Sequence, residues 1–399
     1  MLGVGIGDMN GFVRSHLKGN LRLDFESISA LLFGLGLGFV RIEPAPVDLF
    51  LVSVFMVFLR RLRGLSLLPL AVILLFGGWH VVPLFLGEIP SFGRAMFYMG
   101  VTGLMILYWL FTMLLLRRER NIWFFVWAVG VSGTLNVLSG LLEYMGFPFP
   151  FGSVLYGDMR LQGFFKDPNV LGSYLVLSFL LLLGGNMSGR RNILTLFFAI
   201  IVLMGIFLSF SRGAWVGLMA AVLVVVSWPG VLTTRLRFGV ISLLILGISM
   251  LAVLNLFDPS FASFFHGRLG LKEYDSDRFA TQAVALRAGL ETWVGIGPGQ
   301  SEIVFQYATH SLYARIWAEQ GPMGLALFSV FLVMHIVVLL RRIFRSHEGK
   351  ARVFSVVLLA AVVGILINSL VIDSLHWRHF WVLLGFSWGY ATSLSHHSR

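Results

Sequence analysis

The chain has no cysteine among its 399 residues, which excludes a disulfide framework and any thiolate metal site. Charge is scarce as well: Asp, Glu, Lys and Arg make up 12% of the residues, against roughly 25% in a soluble globular domain. With 57% hydrophobic residues and a mean hydropathy of +0.86, the composition excludes a soluble protein and describes an integral membrane protein. Acidic charge is the scarcer sign, with 19 Asp and Glu against 30 Lys and Arg and a net charge of +11. In a soluble chain that excess would suggest nucleic acid; in a membrane chain its placement matters more than its sum. Tandem repeats of about 20–50 residues are absent, as are low-complexity segments. The first 27 residues are polar and basic, without the apolar core and cleavage site of a signal peptide, so targeting is expected to come from the first spans.

What is present is a series of apolar runs near 28–42, 46–59, 65–86, 95–116, 122–145, 168–185, 192–209, 213–228, 238–257, 322–340, 353–372 and 377–394. A helix crosses the hydrocarbon in about 20 residues. The expected fold is therefore an all-α integral membrane protein of about 12 transmembrane helices, a single polytopic domain over residues 1–399. Aromatic clusters such as Trp123–Trp127 and Trp377–Trp388 read as lipid-facing or interfacial belts.

Basic residues orient the chain. Arg14, Lys18 and Arg22; Arg60, Arg61 and Arg63; Arg117, Arg118 and Arg120; Arg190 and Arg191; Arg235 and Arg237; Arg341, Arg342, Arg345, Lys350 and Arg352; and Arg399 fall at one side when both ends are cytoplasmic. That is 19 of the 30 Lys and Arg residues, and positive-inside bias places that side in the cytoplasm. Arg160, Lys166, Arg212, Arg268, Lys272, Arg278, Arg287, Arg315 and Arg378 fall on the other side, together with His310, His376 and His379. Loops expected to be poor in positive charge instead gather arginines and histidines on the extracytoplasmic face. This exception carries the functional signal, and nucleic acid is not needed to explain the charge.

The stretch from Asp258 to Gly321 is the long polar loop of that face, expected to carry short helices and the catalytic edge. It holds Arg278, Arg287, a glycine run at Gly295, Gly297 and Gly299, and His310-Ser311-Leu312-Tyr313 opening a short helix. The glycine run superficially resembles a dinucleotide fingerprint but lacks a βαβ context, so a tight turn is expected. Within the helix, Arg315 and Glu319 are spaced to pair at i, i+4. A lone histidine at a helix start is often only a cap. Facing several arginines, His310 would instead be held neutral and able to accept a proton.

Three further stretches complete the set. Arg160 to Asn169 leads into a span with Pro168 suited to its first turn and Asp167 or Asn169 to its cap. Arg160 and Lys166 there either snorkel or join a helix N-terminus as an anion site. Ser211-Arg212-Gly213 sets an arginine between two apolar runs, where an ionisable group is costly and functional by default, with Gly213 and Gly217 as a small-xxx-small pair. Its guanidinium could take a phosphate bidentately. In Asp373-Ser-Leu-His376-Trp-Arg378-His379 a metal is conceivable by spacing, but a hydrogen-bonding cap or a wall of the site is the better reading.

Taken together, Arg-x-x-Gly-x-Phe-x-x-Pro-Asn at 160–169, Ser-Arg-Gly at 211–213, Arg278 with the Gly295-x-Gly297 turn, and His-Ser-x-Tyr…Glu-x-Gly-x-x-Gly at 310–324 resemble the O-antigen ligase/polymerase superfamily. These are membrane glycosyltransferases of the GT-C type. The resemblance implies transfer of a glycan from a polyprenyl-diphosphate donor to a glycan, lipid A core or protein acceptor, at the extracytoplasmic face of the bacterial inner membrane, without metal, cofactor or nucleotide sugar. It implies essential roles for His310, Arg212 and Arg278. Arg160, Lys166, Asn169, Arg287, Tyr313, Arg315, Glu319, His376 and Arg378 are the further substrate-binding candidates. His310-Ser311 stands where ligases often have His-Asn or His-His, and 373–379 falls outside the matched pattern, which leaves ligase and polymerase both open. A lipid-linked glycan transporter is the rival from another class; it would need polar groups at mid-membrane rather than gathered at one mouth. A polymerase of the shape, elongation, division and sporulation type would use a loop carboxylate, for which Asp275 and Asp277 are the candidates.

Overall fold

A computed structural model describes residues 24–59, 66–150, 152–157, 159–189, 192–257, 273–305, 308–346 and 349–393, with single residues at 263 and 267. Arg268 and Lys272 of the long loop lie outside the described residues, as do Arg14, Lys18, Arg22, Arg60, Arg61, Arg63, Arg190, Arg191 and Arg399.

The chain folds into α1 (Phe25–Gly36), α2 (Pro46–Phe58), α3 (Leu67–Trp79), α4 (Val82–Leu86), α5 (Phe92–Leu115), α6 (Glu119–Tyr144), a two-stranded ribbon of β1 (Leu155–Tyr156) and β2 (Arg160–Leu161), α7 (Pro168–Met187), α8 (Ile193–Leu208), α9 (Arg212–Ser227), α10 (Thr234–Phe257), α11 (Glu273–Glu291), α12 (Ser301–Val304), α13 (Leu312–Arg345), α14 (Gly349–Asn368) and α15 (Arg378–Thr392). Among the described residues every apolar run falls on helix, although α1 ends at Gly36 within the 28–42 run and the 65–86 run is divided between α3 and α4, and the fold of these residues is all-α with a minimal ribbon. Among the described residues, six segments are long and apolar enough to cross a membrane: Leu67–Leu86, Phe92–Leu115, Glu119–Tyr144, Pro168–Met187, Leu312–Arg345 and Gly349–Asn368.

Small polar residues start these helices by accepting a bond from an otherwise unpaired first-turn N–H. Asp24 accepts from Ser27 N at 2.9 Å, Asp167 from Asn169 N at 2.6 Å with Pro168 at the first helical position, and Asn192 from Leu194 N at 2.9 Å. Helix α7 is the axis of the bundle, buried without a break from Leu171 to Gly185, whereas Leu67–Leu86 is largely exposed or half-buried and lies at the periphery. Glycines set the closest approach: a Cβ on Gly217 of α9 would stand 2.7 Å from Gly364 O of α14, and one on Gly364 would stand 2.6 Å from Gly217 O. The small-xxx-small pair read from the sequence thus packs α9 on α14.

The short helix expected at 310–321 and the apolar run from 322 form one element, α13, bent at Gly321 (φ 65°, ψ −172°) before Pro322. Proline has no N–H to offer the carbonyl four residues back, which leaves Ala318 O to an outside donor. Ile296 N donates to Ala318 O at 2.9 Å and Gly297 N to Glu319 O at 2.9 Å. The Trp79 indole donates to Gln320 O at 2.8 Å. The glycine run is the tight turn that delivers these amides, with Gly295, Gly297 and Gly299 at φ 80°, 97° and 70°. The loop before it holds a longer helix than expected, the 19-residue α11.

Candidate functional site

Three helix starts meet at one end of the bundle: Asp167-Pro168 of α7, Ser211-Arg212 of α9 and Ser311-Leu312 of α13. A Cβ on Gly172 of α7 would lie 2.7 Å from Ser209 Oγ and 3.0 Å from Ser211 Cβ, so α7 and α9 begin in contact. Leu312 N donates to Ser369 O at 3.1 Å and Ile372 O at 3.3 Å, which sets the start of α13 on the chain leaving α14. Asn368, the last residue of α14, is the nearest side chain to Gly213. Ser211 and Ser311 cap their helices alike, accepting from Ala214 N at 3.3 Å and Ala314 N at 3.4 Å.

The residue before each serine cap is unusual. Phe210 (φ 49°) and His310 (φ 44°) are the two non-glycine residues with left-handed backbone among the described residues. That conformation costs on the order of 1–3 kcal/mol and persists where the surroundings impose it, commonly at functional sites. Arg212 and His310 are each held by such a turn, one following it and one in it. Both stand at helix N-termini, whose N–H groups and dipole favour an anion.

His310 is half-buried, and its carbonyl accepts from Gln282 Nε2 of α11 at 3.2 Å. Burial depresses the His310 pKa first and the Arg278 guanidinium second, against the raising fields of Asp373, Asp167 and Glu302. The direction is the one expected from facing arginines, but desolvation is the larger cause. Arg278 is half-buried on α11, and Arg212 is half-buried at the first position of α9.

The remaining candidates divide. Arg160 is buried with its guanidinium on the same bend as Arg212: Nε donates to Ser209 O at 3.1 Å, and Nη2 to Asn169 Oδ1 at 3.0 Å. It braces the turn that presents Arg212 and draws Asn169 with it. Lys166 pairs with Glu43 at 2.8 Å at the surface. Arg287 is exposed on the side of α11 away from α13. Tyr313 donates to Leu366 O at 3.0 Å, tying α13 to α14.

Arg315 and Glu319 form the expected pair, Nε to Oε1 at 3.3 Å, within a buried network. Arg315 also binds Asp373, and it lies 3.7 Å from Glu302 and over the Tyr98 ring at 4.9 Å. Glu319 accepts from Gly299 N at 2.9 Å and Ser301 Oγ at 2.5 Å, fixing the turn before α12. Burial works to raise the Asp373 carboxyl, but Arg315 and His376 outweigh it and hold it below the usual carboxylate range. His376 is pushed down to about 3 by burial and then by Arg315.

Arg378 is occupied by Asp48 of α2, through Nε to Oδ1 at 2.8 Å and Nη2 to Oδ2 at 2.6 Å. The two histidines of 373–379 take separate partners, His376 Nε2 near Thr102 Oγ1 at 3.3 Å and His379 Nε2 near Ser173 Oγ at 3.2 Å. Sequence reading passed over Gln282, Glu302 and Asp48, which hold or polarise the site; each is an ordinary polar residue whose partner lies far along the chain.

Comparison with curated proteins gives no match. Residues 197–329 match the family described as O-antigen ligase, a segment that runs from α8 into α13 and contains Arg212, Arg278 and His310. That segment is similar to the O-antigen ligase family, which supports placing the chain in the O-antigen ligase/polymerase superfamily.

Proposed function

We propose that the protein transfers a glycan from a polyprenyl diphosphate to an acceptor hydroxyl at the extracytoplasmic face of the bacterial inner membrane. The observation that carries this reading is that His310, in its left-handed turn at the start of α13, lies in the field of Arg278 of α11, while the starts of α13 and of the Arg212-bearing α9 both pack on the chain at the end of α14. His310, its pKa lowered by burial and Arg278, accepts the proton of the acceptor hydroxyl as general base. The acceptor oxygen bonds to the anomeric carbon while the bond from that carbon to the diphosphate oxygen breaks. Attack opposite the leaving group inverts the anomeric centre. Arg212 and Arg278 take up the charge growing on the departing diphosphate, aided by the α9 N-terminus. Arg160 supports this indirectly, by holding the Ser209-Phe210 carbonyls that shape the Arg212 turn.

Twelve crossings with both ends cytoplasmic fit the basic clusters, because the loops carrying Arg160, Arg212, Arg278 and His310 then share the outer face. The test is conversion of a polyprenyl-diphosphate oligosaccharide by purified protein. A ladder of lengthened lipid-linked glycans without added acceptor identifies a polymerase. Turnover that waits for a lipid A core or protein acceptor identifies a ligase. No donor consumption with any acceptor contradicts the reading and favours a transporter.

A further inference from the structure

Helix α11 has three faces. Thr281, Ala285 and Gly289 are buried on the α13 side, and Trp317 Nε1 of α13 donates to Leu286 O at 2.9 Å. Ser276, Arg287 and Glu291 form an exposed polar face. Between them, at helical spacing, Phe279, Leu286 and Leu290 stand 53%, 51% and 76% exposed, continued by Trp293 at 67% in the following turn. An isolated apolar residue at a surface needs no explanation, but a stripe along one helix face does.

The neighbouring surface says what covers it. The turn after α11 is docked on the end of the peripheral span Leu67–Leu86: a Cβ on Gly87 would lie 3.5 Å from Gly295 O, and the Trp79 indole reaches Gln320 O of the adjoining kink. That span ends in Phe85 and Leu86, 81% and 72% exposed, which in a membrane protein face lipid. Phe92 and Phe97 of the following helix α5 are likewise exposed, at 62% and 63%. The stripe on α11 therefore extends a lipid-facing surface beyond the ends of the spans. A tryptophan at its end and charges on its flank are the pattern of a helix lying in the membrane interface.

We propose that α11 is an interfacial helix, seated with Phe279, Leu286, Leu290 and Trp293 in the headgroup and upper acyl region of the bilayer. Arg278, next to Phe279 on the site-facing side, is thereby held at headgroup depth. That this is where Arg278 meets the diphosphate of a membrane-borne donor rests on the glycosyl-transfer reading; the seating of the helix does not.

The absence of native cysteine permits single labels without background. Full-length L286C, L290C and E291C proteins, each carrying an environment-sensitive fluorophore, are placed in phospholipid nanodiscs and quenched either by lipids with a shallow nitroxide or by aqueous iodide. The expected result is quenching of the labels at 286 and 290 by the nitroxide lipid, with iodide quenching about threefold weaker than at 291. Labels at 286 and 290 that iodide reaches as readily as 291, and that escape the nitroxide, would overturn the proposal. The readout requires no glycan transfer, so it stands or fails apart from the enzymatic reading.

Discussion

Arg378 and Asp48, 330 residues apart in sequence, form a two-bond ion pair at the site end of the bundle, and Tyr108 donates a third bond to the same carboxylate at 2.7 Å. The side chains are 14% and 6% exposed. Removing one partner leaves a mostly buried charge uncompensated, a loss of about 3–5 kcal/mol. Arg378→Gln and Asp48→Asn should each lower the thermal unfolding temperature of the purified protein markedly, and the double variant should lose far less than the sum. Additive losses in that cycle would contradict a direct pair.

The contact of α9 with α14 gives a second prediction. A methyl group at Gly217 or Gly364 has no room beside the opposing backbone oxygen, so the helices must separate. Gly217→Ala and Gly364→Ala should each cost about 1–3 kcal/mol, as overpacking does. Because α9 begins at Arg212, transfer should fall further than stability alone explains. Wild-type stability and activity in either variant would mean the helices are not so closely packed.

The state of His310 sets a pH dependence. With its pKa depressed from 6.5, first by burial and then by Arg278, the imidazole stays neutral below the usual histidine range. Its proton-accepting form is present above the depressed pKa and lost as pH falls through it, so transfer should decline only on the acid side. Arg278→Gln removes one depressing cause, and the acid limb should move toward higher pH. The same sign applies to stability at His376, whose folded pKa is about 3. Between its unfolded value and about 3 the unfolded chain binds the extra proton, so stability falls as pH falls through that window. His376→Gln should flatten this slope in unfolding measurements, and an unchanged slope would assign the acid sensitivity elsewhere.

Much of the architecture was legible because it rests on local physics. Apolar runs of sufficient length became helices, Asp167 with Pro168 opened α7, and paired glycines marked a close helix contact. The placing of Arg160, Arg212, Arg278 and His310 on one face was read from their exception to the charge bias; in the structure Arg160 holds the bend before Arg212, and Arg278 lies near enough to His310 to lower its pKa. What was not legible depends on pairing across the chain. Arg378 looked available because nothing near it in sequence announces Asp48. Arg315 and Glu319 read only as an i, i+4 pair because Asp373, Glu302 and Tyr98, which surround Arg315, come from three other segments. Helix α11 was hidden by its composition: its apolar stripe is interleaved with charges, and Arg278 reads as loop until the other face is seen against α13.

The central claim concerns the roles of His310 and Arg212, and single-turnover consumption of a polyprenyl-diphosphate glycan tests it most directly. Wild type, His310→Ala and Arg212→Ala proteins of verified fold would be mixed in excess over donor with acceptor present, and released polyprenyl diphosphate followed by mass spectrometry. The account predicts release by wild type, a loss of about 10²–10⁴-fold without the base, and a loss of about 10²–10³-fold without the guanidinium. Release at the wild-type rate in either variant would contradict the assigned site.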